Sequence, residues 1–316
     1  MQCSNNLKQF GLAFHNFEGA HRVLPPAGVT NGFSVQARLL PYIEQANLQN
    51  LLDFTQPAFS GPFNAQVPNP LFVNAFATPI PLMLCPSDPA GRITKGYGGY
   101  MYGGNNYMVS IGSGTATNYD RRWSTDGIAY DNSEVIFGQI QDGTSNTVFM
   151  SESVRSFGDD VTLPAGKTPP FPYQLTLNGS TGVSSALNAT PGLKATGSPW
   201  SGSVDGNGMI SNPNIEALWP TFTGWRGSTS NAMRGRGISW ASTGTMNTLT
   251  SGYLSPNSRV PDIAMHHTGI FGPRSFHPGG ANVLFGDGSV RLLTKEMSPL
   301  VCRALHSVAG GEVASE

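Results

Sequence analysis

Residues 274–293, RSFHPGGANVLFGDGSVRLL, decide how the C-terminal part of this chain folds. Two apolar runs, residues 281–285 and 289–293, flank a Gly-Asp-Gly tripeptide whose aspartate is Asp287. Asp-Gly between apolar runs is among the strongest local signals for a β-hairpin. A Pro-Gly-Gly bend follows His277 and leads into the first run. The stretch therefore predicts two antiparallel strands, with Asp287 at the tip and His277 at the open end.

The same His and Asp also fit a catalytic pair or half of a metal site. Fully extended, the ten steps from His277 to Asp287 reach about 30 Å, so a hairpin that separates tip from open end disfavours direct catalysis by the pair within one subunit. We therefore interpret the stretch as a structural motif of the fold. Its residues are His277, Gly279, Gly280, Asp287 and Gly288.

Charged side chains are scarce, since they make up 12% of the 316 residues against roughly 25% in an average soluble domain. Lys and Arg number 18, Asp and Glu number 19, and the net charge is -1. No basic surplus favours a nucleic-acid partner. The 39 glycines and 24 prolines are typical of a β protein rich in loops and turns. A surface of neutral polar residues resembles that of extracytoplasmic β proteins.

Three cysteines occur, Cys3, Cys85 and Cys302, and none belongs to a CxxC pair, which disfavours a zinc knuckle or a thioredoxin-type site. One disulfide with one leftover thiol and three free thiols both remain open. No apolar run approaches the roughly 18 residues that span a bilayer, and no signal peptide is visible.

The N-terminal segment and the middle of the chain predict a mixed α+β fold. Residues 1–24 read as an amphipathic helix capped by Ser4 or Asn5 and ended by two prolines. Further along, residues 128–130, 135–137 and 147–151 read as short strands. Long loops are expected over residues 158–216, where periodicity is weak. The apolar residues at helical spacing are Leu7, Phe10, Phe14 and Phe17.

Two sets of polar residues are candidates for ion binding or ion pairing. Asp142 and Asn146, in a turn-rich loop, and Asp287 offer oxygens to Ca²⁺, although Asx and Ser/Thr turns explain the same residues. Glu152 shares strand parity with apolar neighbours, so it is expected to face the core. Because a buried carboxylate needs a partner, Arg291 in the hairpin is its candidate for an ion pair.

Residues 96–118 mix aromatic residues with glycine, a composition that can bind sugars and that more often forms strands and loops covering a sheet. No basic residue lies between Gly96 and Asn118, so single-stranded nucleic acid is disfavoured. The residues of this possible ligand surface are Tyr97, Tyr100, Tyr102 and Tyr107.

Catalytic motifs are missing, which favours a non-enzymatic protein. The sequence contains no GxSxG, no SxxK and no Walker A motif. His266, His267 and His277, with Asp262 and Asp287 nearby, match no recognised metal-ligand spacing. We expect no cofactor other than the candidate Ca²⁺.

Five blocks of the sequence resemble the planctomycete-type prepilin-like family. These are type IV pilin- or pseudopilin-like proteins with a domain of unknown function and a C-terminal H-x9-DG motif. His277 and Asp287-Gly288 occupy the positions of that motif. The blocks span most of the chain in order: MQCSNNLKQFGLAFHNFEGAHRVLPP, LLPYIEQ, LCPSDP, DGTSNTVFMSE and SFHPGGANVLFGDGSVRLL.

The resemblance implies a pilin-like N-terminal helix packed on an antiparallel β-sheet with long loop insertions. Residues 1–24 would be the lower half of that helix, and residues 25–316 a single β-rich head domain. It also implies a prepilin leader and an apolar transmembrane half-helix before Met1, both of which this sequence lacks. Membrane contact would be made only through that missing helix.

By the same resemblance, the protein is expected to be a structural subunit that is exported to the periplasm or cell surface and membrane-anchored in its precursor. Its expected partners are copies of itself and the pilus or type II secretion machinery, and no nucleic acid. The alternative is an extracytoplasmic module that binds a sugar or another solute, with Ca²⁺ as a stabilising ion.

Overall fold

The computed structural model has an α+β fold, as the sequence predicts. It describes residues 1–28, 32–61, 67–116, 118–158, 160–164, 169–178, 183–185, 193–195, 209–210, 230–265 and 268–311. The α-helices in this part of the chain are α1 (Gln2–His21), α2 (Val35–Arg38), α3 (Ala46–Gln49), α4 (Val73–Phe76) and α5 (Pro299–Leu305). Short 3-10 helices span Leu40–Ile43, Pro81–Met83, Tyr97–Gly99 and Phe137–Gln139.

The strands are numbered in chain order, and most of them are short. They are β1 (Phe59–Ser60), β2 (Val67–Pro68), β3 (Ile93–Lys95), β4 (Met101–Gly103), β5 (Tyr107–Ser110), β6 (Val148–Glu152), β7 (Asp160–Pro164), β8 (Leu175–Asn178), β9 (Val183–Ser185), β10 (Leu193–Ala195), β11 (Met209–Ile210), β12 (Ser230–Gly235), β13 (Leu249–Thr250), β14 (Ile263–Met265), β15 (Thr268–Ile270), β16 (Gly280–Phe285) and β17 (Val290–Thr294).

Helix α1 forms because apolar side chains recur on one face, and that face is buried against the rest of the chain. Phe14 packs edge-to-face on Phe149 of β6 with ring centroids 5.4 Å apart. Arg22 takes the left-handed conformation and its N–H bonds to Glu18 O, which ends the helix. The predicted cap at Ser4 or Asn5 is wrong, because the helix begins at Gln2 and Ser4 Oγ donates to Met1 O.

The central sheet has five strands in the order β13-β5-β6-β16-β17, and α1 contacts its β16 and β17 strands. Neighbouring strands are antiparallel except β13 and β5, which are parallel. The sheet is therefore mixed rather than purely antiparallel. Of the three strands predicted in the middle of the chain, only the last is observed, as β6. The core between α1 and the sheet includes Phe10, Phe14, Tyr107, Phe149 and Leu284.

A second five-stranded sheet has the order β15-β14-β8-β12-β7, and a three-stranded sheet has the order β11-β10-β9. Strands β7 to β11 lie where the sequence predicts long loops, so that prediction is wrong for the described part of residues 158–216. The rest of the segment lies outside the described residues. No helix that the structure describes combines the length and apolar character needed to cross a membrane.

Two buried arginines connect this second sheet to the segment before β16. Arg236 Nη1 lies 3.3 Å from Asp262 Oδ2, and Arg274 Nε lies 3.1 Å from Asp262 Oδ1. Burial lowers the pKa of Arg236 to about 10. Arg274 also donates its backbone N–H to Glu152 O of β6. The two sheets are thus joined through charged side chains that water does not reach.

The predicted hairpin is confirmed as β16 and β17. Gly280 pairs with Thr294 at the open end, and Leu284 pairs with Val290 beside the tip. Gly280 needs to be glycine, because its φ is +152° and a Cβ there would collide with the backbone of Leu293. Tip and open end are separated by the length of the strands, as the sequence predicts.

Truncating Phe14 should destabilise the fold far more than truncating its exposed neighbour Leu12. We expect Phe14→Ala to lower the free energy of unfolding by about 3–5 kcal/mol, because it leaves a cavity between α1 and β6. Leu12 is 58% exposed on the same helix, and we expect Leu12→Ala to change it by less than about 0.5 kcal/mol. Urea denaturation of both variants measures the difference, and equal losses would contradict the packing described.

Candidate functional site

The buried carboxylate of Glu152 is the centre of the candidate site. Glu152 ends β6 and its side chain is 1% exposed. Its Oε2 accepts a hydrogen bond from Asn282 N at 2.7 Å, and its Oε1 accepts one from Asn282 Nδ2 at 3.0 Å. The Nε2 of His277 is 3.2 Å from Oε1. The prediction from strand parity that Glu152 is buried is thus correct. His277, just before β16, and Asn282, within β16, satisfy the hydrogen-bonding capacity of its carboxylate.

His277 lies just before β16, at the open end of the hairpin. Its side chain is 24% exposed. The hydrogen bond to Glu152 raises the pKa of His277 above the ordinary value, and partial burial opposes this shift. Ser275 Oγ accepts the backbone N–H of His277 and donates to Gly280 O at 2.7 Å. These bonds hold the Pro-Gly-Gly bend and aim the imidazole at the end of β6.

A disulfide between Cys3 and Cys85 lies against the Glu152–His277 pair. The two Cα atoms are 5.1 Å apart, within the usual range for a disulfide. Of the two cysteine arrangements that the sequence leaves open, the structure has one bridge and a buried free thiol at Cys302. Cys85 Sγ lies 3.9 Å from Glu152 Oε1 and 3.8 Å from His277 Nε2.

These four side chains form one compact group of potential metal ligands. One ligand atom from each of Cys3, Cys85, Glu152 and His277 lies within 4.8 Å of all the others. They come from α1, from the segment after Pro81–Met83, from β6 and from the bend before β16. It is the only such group in the part of the chain that the structure describes.

Asn106 fixes the Cys85 segment next to the site. Its Oδ1 accepts from Cys85 N at 2.9 Å and from Arg155 Nε at 2.8 Å, while its Nδ2 donates to Asp88 Oδ2 at 2.7 Å. Asp88 Oδ2 also accepts the backbone N–H of Arg155. Asn6 completes the support from α1, since its Nδ2 donates to the carbonyl before Cys85 at 3.1 Å. The position of Cys85 is therefore held by buried hydrogen bonds on both sides.

The arrangement is not a nucleophilic triad. In a Cys–His–acid triad the nucleophile and the acid contact different nitrogens of the imidazole, so that a proton can pass between them. Here Glu152 Oε1 and Cys85 Sγ both face Nε2 of His277, and the sulfur is in a disulfide. Instead, one potential metal-ligand atom from each of the four side chains lies within 4.8 Å of the others.

The predicted ion pair between Glu152 and Arg291 is wrong. Arg291 is exposed on the edge strand β17, where its Nη2 donates to Ser145 O at 2.8 Å and its guanidinium lies 4.2 Å from the ring centroid of Phe285. Glu152 lies two strands away, because β16 stands between β6 and β17, and Val283 of β16 pairs with Arg291 on one side and, antiparallel, with Ser151 on the other. The same antiparallel pairing brings His277 to Glu152.

The predicted tyrosine surface is wrong for Tyr102 and Tyr107. Tyr102 and Tyr107 are 0% exposed, whereas Tyr100 is 38% exposed. Burial raises the pKa of Tyr107, whose hydroxyl oxygen accepts a hydrogen bond from Asn6 Nδ2. The side chain of Tyr97 lies outside the described residues. Tyr102 and Tyr107 therefore fit the alternative that such tyrosines cover a sheet, and a ligand-binding role for Tyr97 and Tyr100 stays a prediction.

The proposed Ca²⁺ ligands each have a local hydrogen-bonding role. The carboxylate of Asp142 accepts the backbone N–H groups of residues 310 and 311 at 2.7 and 2.9 Å. Asn146 Nδ2 donates to Asp142 O, and Asp287 Oδ1 accepts from Ser289 N at 2.8 Å. Calcium binding at these residues stays a prediction. His266 and His267 lie outside the described residues, and Asp262 pairs with buried arginines.

An open cavity of about 560 Å³ adjoins the exposed side of His277. Its walls combine an aromatic ring with cationic groups, since the guanidinium of Arg259 lies 3.9 Å from the ring centroid of Phe171 and Lys295 is nearby. Serine and asparagine side chains also line it, as does Glu296, whose Oε1 lies 3.8 Å from Lys295 Nζ. The cavity gives solvent access to the imidazole edge of the site.

The fold and the site define an α+β protein whose N-terminal helix is fastened to a central sheet beside a buried Glu–His pair. Residues 1–300 match the family model described as "Protein of unknown function (DUF1559)", so the chain belongs to that family. No curated protein and no solved structure matches the chain.

The Glu152–His277 bond should make stability depend on pH with a defined sign. Because the pKa of His277 is raised in the folded state, its contribution is full below about pH 6.5, the ordinary pKa of histidine, and is lost as the pH rises through the raised pKa. We expect His277→Gln to lower the free energy of unfolding most below about pH 6.5 and progressively less above it. Urea denaturation across this range measures the difference.

His306 provides a comparison of opposite sign. It is fully buried, its Nδ1 donates to Cys302 O at 2.8 Å, and burial lowers its pKa to about 4. His306 therefore costs stability as the pH falls from about 6.5 towards 4, and His306→Gln should reduce this loss in the free energy of unfolding.

For the His277 prediction, a loss of stability in His277→Gln that stays constant with pH would contradict the bond to Glu152.

Proposed function

We propose that this protein is a non-enzymatic, exported structural subunit of pilin-like or pseudopilin-like type that works in an envelope or surface assembly. The observation that carries the proposal is the attachment of α1 to the head. One face of the helix is buried against the central sheet, and its first turn is bridged to the head by the Cys3–Cys85 disulfide. A subunit that transmits load between its helix and its head needs such an attachment.

Two features support an extracytoplasmic location. The disulfide closes a loop with a sequence separation of 82 residues, and such bonds persist mainly in oxidising compartments. Only 12% of the residues are charged, and several of these charges are buried in the interior, as Arg236 and Arg274 are. The surface therefore relies on neutral polar groups, as in the exported β proteins that the composition resembles.

In this proposal, residues 1–24 are the lower half of a pilin-like helix and residues 25–316 are the head. The precursor would be anchored in the membrane by an apolar helical segment, as the resemblance to the prepilin-like family implies. Copies of the same chain and the pilus or type II secretion machinery would be the partners.

A second candidate function is binding of a small solute at the cavity beside His277. The observation that favours it is the pairing of Arg259 with the ring of Phe171 in a cavity of about 560 Å³, where Glu296 pairs with the other cation, Lys295. A guanidinium beside an aromatic ring fits a small anionic solute such as a sugar acid. This relocates the predicted solute site away from the buried tyrosines.

Protein isolated from its native cells should separate the two functions. We expect the structural subunit to be found in the envelope or in filaments, by cell fractionation and immunogold electron microscopy. Leu12 lies on the exposed side of α1, so Leu12→Asp should reduce the assembled fraction by about tenfold while the head stays folded. Leu51→Asp, at an exposed leucine outside α1, is the matched control and should assemble normally.

Soluble monomers only, with no envelope association, would contradict the structural-subunit proposal. If those monomers also gain melting temperature in the presence of a sugar acid such as glucuronate, the solute-binding function replaces it.

A further inference from the structure

We propose that Cys3, Cys85, Glu152 and His277 form a binding site for a zinc-like divalent cation when the two cysteines are reduced, and that the Cys3–Cys85 disulfide excludes the cation. The same four side chains would then have two mutually exclusive states. This goes beyond the structural role of the protein and does not depend on it.

The geometry suits a tetrahedral centre. Ligand atoms from the four residues all lie within 4.8 Å of one another. In a tetrahedral zinc site with bonds of about 2.0–2.3 Å, ligand atoms are separated by roughly 3–4 Å. Cys85 Sγ is already 3.8 Å from His277 Nε2 and 3.9 Å from Glu152 Oε1. Once the bridge is reduced, small side-chain movements complete the coordination.

The donor set selects the class of cation. Two thiolates, one imidazole and one carboxylate suit Zn²⁺ and similar borderline-soft ions. Ca²⁺ and Mg²⁺ prefer six or more oxygen ligands, and this site offers only a carboxylate. With His277 neutral, the two thiolates and the Glu152 carboxylate carry three negative charges. A bound divalent cation leaves a net charge of −1. The cation therefore removes most of the charge that reduction would place in the interior.

The surrounding hydrogen bonds orient the ligands as an outer shell does in metal sites. Asn282 donates two hydrogen bonds to the Glu152 carboxylate. Asn106 Oδ1 holds the backbone of Cys85, and Ser275 Oγ holds the backbone of His277. The cavity beside His277 opens to solvent and provides an entry path for the ion.

A disulfide alone does not account for the four residues. A disulfide is uncharged and needs neither a carboxylate nor an imidazole beside it. Taking Glu152 out of water is costly, and a buried ion pair often fails to offset that cost. The contact of both Glu152 and Cys85 with Nε2 of His277 excludes a proton-relay triad. A common cation is the role that uses all four side chains.

The two states interconvert by balanced chemistry. A dithiol reductant supplies two electrons and two protons, so that the S–S bond of the protein breaks, two S–H groups form and the reductant becomes a disulfide. Cation binding then forms two metal–thiolate bonds and releases both thiol protons to solvent. Oxidation by a disulfide exchange partner reverses the sequence and expels the cation.

Cobalt(II) binding tests the proposal on the full chain. The protein is reduced with a water-soluble phosphine under argon, freed of the reductant and titrated with Co²⁺. We expect one equivalent to give the intense visible d–d bands of a tetrahedral centre and a sulfur-to-cobalt charge-transfer band, and Zn²⁺ to abolish both. Protein with the disulfide intact should give neither band, and Mg²⁺ should not compete.

Variants distinguish the four-ligand site from two thiolates acting alone. We expect His277→Ala and Glu152→Gln each to weaken Co²⁺ binding at least about tenfold and to alter the d–d bands. Cys302→Ala removes the unrelated thiol and should leave binding unchanged. His277 is partly exposed, so His277→Ala supplies the test whether or not Glu152→Gln folds. Reduced protein without tetrahedral bands, or with bands that His277→Ala leaves unchanged, would overturn the proposal.

Discussion

The buried carboxylate of Glu152 is the constraint on which the rest of this structure depends. A buried carboxylate is tolerated only when hydrogen-bond donors replace water. Glu152 receives them from Asn282 and His277, at and just before β16, and its backbone oxygen accepts from Arg274. The chain entering the hairpin is therefore bound to the end of β6. That binding fixes which end of the central sheet carries the open end of the hairpin.

The N-terminal helix is attached at the same place. Cys3 in its first turn is bridged to Cys85, and Asn6 one turn later bonds to the carbonyl before Cys85. Buried side-chain amides connect other segments of the chain in the same way. For example, Gln36 Nε2 donates a hydrogen bond to Tyr107 O at 2.8 Å. Many of these groups are buried, which explains how a chain with few charges keeps a polar yet well-connected interior.

Local features of the fold could be predicted from the sequence, whereas long-range pairing could not. Helix α1 and the β16–β17 hairpin follow from periodicity and turn chemistry, which act over a few residues. Parity within β6 correctly predicts that Glu152 is buried. Its partner was assigned wrongly to Arg291, because strand parity does not say which strand lies beside β6 or in which direction it runs. The convergence of the two cysteines on Glu152 and His277 depends on the same unknown, since four distant segments meet only in the folded sheet.

A double-mutant cycle between Glu152→Gln and His277→Gln tests this account most directly. It is measured as free energies of unfolding at about pH 6, where the ordinary histidine pKa of about 6.5 and its elevation by Glu152 keep His277 charged. The account predicts a coupling energy of about 1 kcal/mol or more, because each substitution removes the same bond. Losses that add to within about 0.5 kcal/mol would show that the two residues act independently. That result would contradict the role of Glu152 as the anchor of the hairpin.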